Sequence, residues 1–143
     1  MSTRVTGKKW KGELKNATPL EYIVFKNVPM RSSKHGDVID LDLSILEILA
    51  AKAVIETFVP LRGKEVRFLR KVLGLSYEKF AGPMDLSAAT VMKWERAEDV
   101  RLHLVNEVAV RTFVAERLGL HVDAAFSKLV GGHTPEVLEL KAS

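Results

Sequence analysis

The stretch Gly74-Leu75-Ser76-Tyr77-Glu78-Lys79-Phe80-Ala81, followed by Leu86-Ser87-Ala88-Ala89-Thr90-Val91-Met92-Lys93-Trp94-Glu95, constrains the fold of this chain more than any other segment. It spells two short helices joined by a tight turn. Ser76 is placed to cap the first helix and Ser87 the second, because a serine oxygen accepts the orphan N–H groups of a first turn. Phe80, Ala81, Leu86, Val91 and Trp94 supply the apolar contacts between them, and Ala81 is small enough for two steeply crossing helices to approach. Lys79, Lys93 and Arg96 remain polar and outside.

This is the sequence form of a helix-turn-helix, whose second helix can lie in the DNA major groove. The spacing resembles the Xre/Cro-repressor class of regulators. The run Gly63-Lys64-Glu65-Val66-Arg67-Phe68-Leu69-Arg70-Lys71-Val72-Leu73-Gly74-Leu75-Ser76, with Trp94-Glu95 after it, resembles the DNA-binding half of MqsA-type and HigA-type antitoxins over residues 61 to 98. Upstream, Tyr22 through Asn27-Val28, His35-Gly36-Asp37 and the helix before Pro60 extend the likeness. Tyr77 stands where that family usually has a glutamine that helps fix the helix on the DNA backbone. Pro83 must end or distort the first helix. Asp85 replaces the usual turn glycine and tolerates left-handed backbone better than most residues. The resemblance implies a lambda-repressor-like helix-turn-helix domain in an autorepressing type II antitoxin. Its N-terminal unit would neutralise a toxin, often a ribonuclease in such families.

The chain has 143 residues, 47% hydrophobic and 28% charged, a globular balance for one domain or two small units. No apolar run is long enough to span a bilayer, and the start is polar and basic without a signal-peptide core. A cytoplasmic protein is expected. The absence of cysteine excludes disulfides and thiolate zinc sites. It also separates this chain from MqsA-type antitoxins, whose N-terminal half is a four-cysteine zinc unit. The net charge of +4 is concentrated in two places. Residues 1 to 18 carry five basic residues against Glu13, and residues 61 to 98 carry eight against five acidic ones.

The fold expected is mainly α with a small N-terminal β-hairpin. Residues 1 to 18 read as a flexible basic tail. Residues 19 to 60 read as a small α/β unit: a strand over Leu20 to Met30, a turn over Arg31 to Gly36, a second strand over Asp37 to Leu43, and a helix over Ser44 to Thr57. Ser44 and Glu47 have capping-box spacing, and Ile45, Leu49 and Ile55 are expected to be buried. Residues 61 to 98 form the helix-turn-helix unit. Residues 99 to 131 carry a long amphipathic helix closed by Gly119, then a shorter helix over Val122 to Val130. This segment is the candidate interface of a homodimer, with Leu104, Val108 and Phe113 as test positions. Residues 132 to 143 read as a tail.

The candidate DNA-binding residues are Ser76, Tyr77, Lys79, Ser87, Ala88, Ala89, Thr90, Met92, Lys93 and Arg96. Ala88 and Ala89 occupy the first turn of the second helix, where they can pack on thymine methyl groups but donate nothing. Lys93, one turn on, can reach a guanine or a phosphate. Tyr77, Lys79 and Thr90 suit phosphate contacts. Trp94 shares a face with Val91 and reads as a core anchor. Glu65 and Glu95 read as surface ion-pair partners. His35, His103, His121 and His133 have no metal-ligand spacing, and no catalytic triad, P-loop or dinucleotide fingerprint appears. No catalytic or metal-binding residues and no cofactor are expected. The expected partners are double-stranded operator DNA, a toxin protein and a second copy of the chain, with no membrane. The alternatives are a protein-interaction module on the same scaffold and a stand-alone phage or mobile-element repressor. The Lys8-Lys9-Trp10-Lys11 cluster suits a disordered solvated tail, or a grip on DNA, RNA or an acidic partner.

Overall fold

In a computed structural model the described residues are 8–121 and 126–143, with the side chains of residues 126 and 127 outside the description. They form a mixed α/β structure of six α-helices and one four-stranded sheet. In chain order these are β1 (Lys9–Lys15), β2 (Ile23–Ser33), β3 (Gly36–Ile39), α1 (Leu43–Glu56), α2 (Gly63–Val72), α3 (Tyr77–Ala81), α4 (Ala88–Arg96), α5 (Leu104–Leu118), α6 (Phe126–Val130) and β4 (Leu138–Lys141). Two compact units divide the chain, residues 1–50 with 136–143 and residues 51–135.

The sheet is larger than the expected hairpin. β2 lies at its centre, with β1 antiparallel on one side. On the other side β4 runs parallel to its first half and β3 antiparallel to its second. Both added strands come from segments read as tails. In β1 the alternation is present, with Lys9, Lys11, Glu13 and Lys15 exposed and Trp10, Gly12 and Leu14 half-buried. The high charge of that segment hid the period of two. β4 repeats it in miniature, with Leu138 and Leu140 half-buried between exposed Glu139 and Lys141. Of the expected tail, residues 1 to 7 lie outside the described residues.

Tyr22, just before β2, and Ile23, Val24 and Phe25 within it are all buried, not alternately buried and exposed, so both faces of the sheet are covered here. Opposite Glu13 the register slips, and β2 carries an extra residue there. Asn27 takes up the bulge with φ +55°, a left-handed value that asparagine tolerates. Pro29 is accommodated in a central strand because it falls between the stretches that pair with β4 and β3. Its carbonyl accepts the Asp40 N–H at 2.8 Å.

α1 begins one residue earlier than expected. Its cap is Asp42, whose carboxylate accepts the Ser44 N–H at 3.0 Å while its carbonyl accepts the Ile45 N–H. Ser44 therefore sits inside the first turn, and the Ser44/Glu47 capping box is not the start of the helix. The buried positions are Leu46, Ala50, Ala51, Val54 and Ile55. Ile45, expected inside, is 53% exposed, and Leu49 is half-buried. The helix is apolar on nearly every face, so its sequence does not select one.

In the second unit Val66, Leu69, Phe80, Val91, Val110 and Val114 are fully buried. The Phe80 and Phe113 rings meet edge to face with centroids 5.5 Å apart. Phe113, named above as a dimer test position, thus packs within its own chain; Leu104 and Val108 are half-buried. A charged cluster joins the core. Glu107 accepts Arg101 Nε at 2.8 Å and Arg111 Nε at 3.2 Å, and Arg111 donates onward to the carbonyls of Ile55 and Val59. Glu107 and Arg111 are buried, and each has charged and backbone partners, as burial of an ion requires. α5 ends where expected, at Gly119 with φ +70°. The expected helix from Val122 is described only over Phe126–Val130. Among the described residues no helix is long and apolar enough to cross a membrane.

Candidate nucleic-acid interface

Local capping builds α3 and α4 as the sequence predicts. Ser76 Oγ accepts the Lys79 N–H at 3.2 Å, and Ser87 Oγ accepts the Thr90 N–H at 3.2 Å. Pro83 lies in a single 3₁₀ turn, Gly82–Met84, that closes α3. Asp85 then adopts φ +58° and ψ +40°, the left-handed conformation that reverses the chain into α4. Phe80, Ala81 and Val91 are buried between these helices and the rest of the unit.

Two longer-range contacts set α4 against α2. A methyl group added at Gly63 would collide with the Trp94 carbonyl oxygen and come within 2.7 Å of the Ala97 carbonyl oxygen, so only glycine permits this approach. Arg70 donates to Glu95 through Nε at 2.7 Å and Nη2 at 3.0 Å. Glu95 is 1% exposed and Glu65 fully buried, which corrects their reading as surface partners. Glu65 accepts the Arg62 backbone N–H at 3.0 Å and its guanidinium at 2.8 and 2.6 Å, closing the N-terminus of α2.

The candidate residues separate into two groups. Tyr77 is turned inward: its hydroxyl donates to Glu95 at 3.3 Å and its ring lies 4.1 Å beneath the Arg70 guanidinium. Thr90 is half-buried and shares a hydroxyl contact of 2.9 Å with Ser87, and Ala88 is half-buried. The outward group is Ala89, Met92, Lys93 and Arg96, which recur at one helical stripe of α4 and are all exposed. Ser76, Lys79 and Ser87 are exposed beside the turn.

The cations separate in the same way. Arg62 and Lys64 pair with Asp99, Arg67 with Glu98 and Arg70 with Glu95. Donating hydrogen bonds to the Glu98 and Glu95 carboxylates raises Arg67 and Arg70 above the ordinary arginine range, and the Lys64 ammonium lowers Asp99. Lys71, Lys79, Lys93 and Arg96 are exposed and enter none of these pairs. Of the eight basic residues from Arg62 to Arg96, four are thus committed to structure and four face solvent.

Neither a protein-family model, nor a curated protein, nor a solved structure matches this chain. Its own geometry therefore carries the functional argument.

Trp94 is half-buried and not a full core residue. It walls a cleft of about 360 Å³ with Lys93, Val100 and His103, continuous with the outer side of α4. The sequence weighed His103 only as a metal ligand and did not single out Val100, because only the chain reversal after α4 brings them to this cleft. Among the described residues no group of three histidines or carboxylates is placed to hold a metal ion.

Proposed function

We propose that this protein is a sequence-specific DNA-binding transcriptional regulator of the Xre/Cro type, with α4 entering the major groove. The observation that carries the reading is the outward stripe Ala89, Met92, Lys93 and Arg96 on α4, flanked by Lys79 on α3; among the described residues no carboxylate pairs with its cations. Cations free of internal partners can neutralise phosphates, whereas paired ones would first lose a salt bridge. Ala89 and Met92 offer methyl contacts to thymine, and Lys93 is the residue able to donate to a base edge. One such module reads few base pairs, so the working form is a two-fold dimer on half-sites roughly 34 Å apart.

Within this reading the protein is an autorepressing antitoxin, with α4 serving operator DNA and the N-terminal sheet serving a toxin. The sheet contains no cysteine and must hold its shape by pairing and packing alone. The deciding experiment is a gel shift with the DNA immediately upstream of the protein's own gene. Retardation of that fragment, but not of random DNA at moderate salt, is expected; equal affinity for both would end the regulator reading. A second reading, a protein-interaction module, draws on the apolar share of the same stripe, since Ala89 and the 38% exposed Met92 donate no hydrogen bond.

A further inference from the structure

β2 offers no edge to a partner strand, because it is paired along both sides. Among the described residues the longest open edge belongs to β1, seven residues against four in β3 and in β4. Ser32 N–H donates to the Lys8 carbonyl at 2.9 Å, which sets the phase of the β1–β2 ladder. Hydrogen-bonded pairs alternate in an antiparallel ladder. Trp10 and Met30 therefore exchange bonds, whereas Lys9 and Arg31, and Lys11 and Pro29, do not. Pro29 agrees with this phase: it has no N–H, and it stands opposite Lys11, where none is needed. The backbone N–H and C=O of Lys9 and Lys11 consequently point away from the sheet. Among the described residues no strand takes them.

The chemistry of that edge is one-sided. From Lys8 to Lys15 there are four lysines and one glutamate, and Glu13 is already engaged by Lys15 and Lys26. Lysines and a bulge are how natural edges resist joining their own kind, since like charges directly opposite repel. Two parallel copies of β1 in register would set lysine against lysine at positions 9, 11 and 15. The same lysines attract a strand that carries carboxylates. A depression of about 280 Å³ walled by Lys9, Trp10, Lys11, Pro29, Met30 and Asp40 lies beside this edge and offers room for a side chain of an added strand; the Lys9 ammonium stands 3.4 Å from the Asp40 carboxylate, which leaves Lys11 as the cation without an internal carboxylate among the described residues.

We propose that the β1 edge, at Lys9 and Lys11, takes up an extended acidic segment of a partner protein by strand addition. Main-chain hydrogen bonds to Lys9 and Lys11 supply the pairing, and the lysine ammonium groups select carboxylates on the incoming strand. This deepens the partner half of the proposed function and is independent of its DNA-binding half.

The test uses the full chain and a short end-blocked peptide of alternating glutamate and valine. A lysine–valine peptide and a single-stranded oligothymidylate serve as rival probes. Binding of the acidic peptide should weaken with salt and slow amide hydrogen exchange at Lys9 and Lys11. Lys11→Pro removes an outward N–H that the β1–β2 ladder does not use, so it should weaken peptide binding about tenfold while the Trp10 amide stays protected. Lys9→Glu with Lys11→Glu should transfer the preference to the lysine–valine peptide, whatever the fate of the proline variant. The proposal is overturned if neither lysine amide slows, if both variants bind the acidic peptide like wild type, or if only the oligonucleotide binds this edge. Operator binding should be untouched by Lys11→Pro. Loss of operator recognition with peptide binding intact would sink the DNA reading alone.

Discussion

Arg70 in α2 and Glu95 in α4, 25 residues apart, form a bidentate ion pair in which Glu95 is 1% exposed and Arg70 8% exposed. Tyr77 completes the site from α3 by donating to the same carboxylate. One carboxylate thus links α2, α3 and α4. Removing one partner of a buried pair leaves the other charged and unsolvated, at a cost of about 3 kcal/mol or more. Glu95→Ala should lower unfolding stability by that amount in urea titration, and Tyr77→Phe by about 1 kcal/mol, for one hydrogen bond. A Glu95→Ala variant as stable as wild type would show that the pair does not hold α4.

Gly63→Ala tests the closest approach in the unit. The added methyl meets the carbonyl oxygens of Trp94 and Ala97, which are backbone and cannot rotate away. Forced overpacking of this kind costs about 1–3 kcal/mol. Because the displaced atoms end α4, DNA affinity should fall along with the melting temperature. Unchanged thermal unfolding would contradict the geometry.

Lys93→Ala and Arg96→Ala should each weaken operator binding with little loss of stability, since both side chains are exposed and outside the internal ion pairs. A cation that meets a phosphate should reduce the slope of log affinity against log salt by about 0.9 when removed. Lys93, if it reads a base, should also relax discrimination between operator and random DNA. Arg67→Ala should act in the opposite sense, harming stability more than the salt slope, because Arg67 is held by Glu98 and by the Glu95 carbonyl.

Helix α1 should respond to acid through its cap. Hydrogen bonding from Ser44 holds Asp42 below its ordinary value of 3.8. A carboxyl depressed on folding contributes stability that is present above its unfolded pKa and is lost as pH falls through the folded one. Far-ultraviolet circular dichroism should therefore show helix loss beginning below about pH 4, where an unperturbed aspartate starts to take up a proton. Asp42→Asn keeps the acceptor and removes the titration, so its helix content should depend less on pH over that range. Identical acid profiles for the two proteins would refute the cap assignment.

What the sequence determined by itself was local. Ser76 and Ser87 cap α3 and α4, Asp85 turns left-handed, and Gly119 ends α5, because each of these choices depends on backbone groups within a few residues. The exposed cations of α4 were legible for the same reason: helical spacing places Lys93 and Arg96 opposite Val91. The tertiary structure decided whatever needed a distant partner. Lysine-rich β1 becomes a strand only because β2 hydrogen-bonds to it, and β4 exists only through pairing of Ile23 with Leu138. Tyr77 turns inward, and Glu65, Glu95 and Glu107 are buried, because Arg62 before α2, Arg70 within α2 and Arg101 before α5 satisfy these carboxylates. A charged residue reads as surface until its counter-ion is located, and locating it requires the fold.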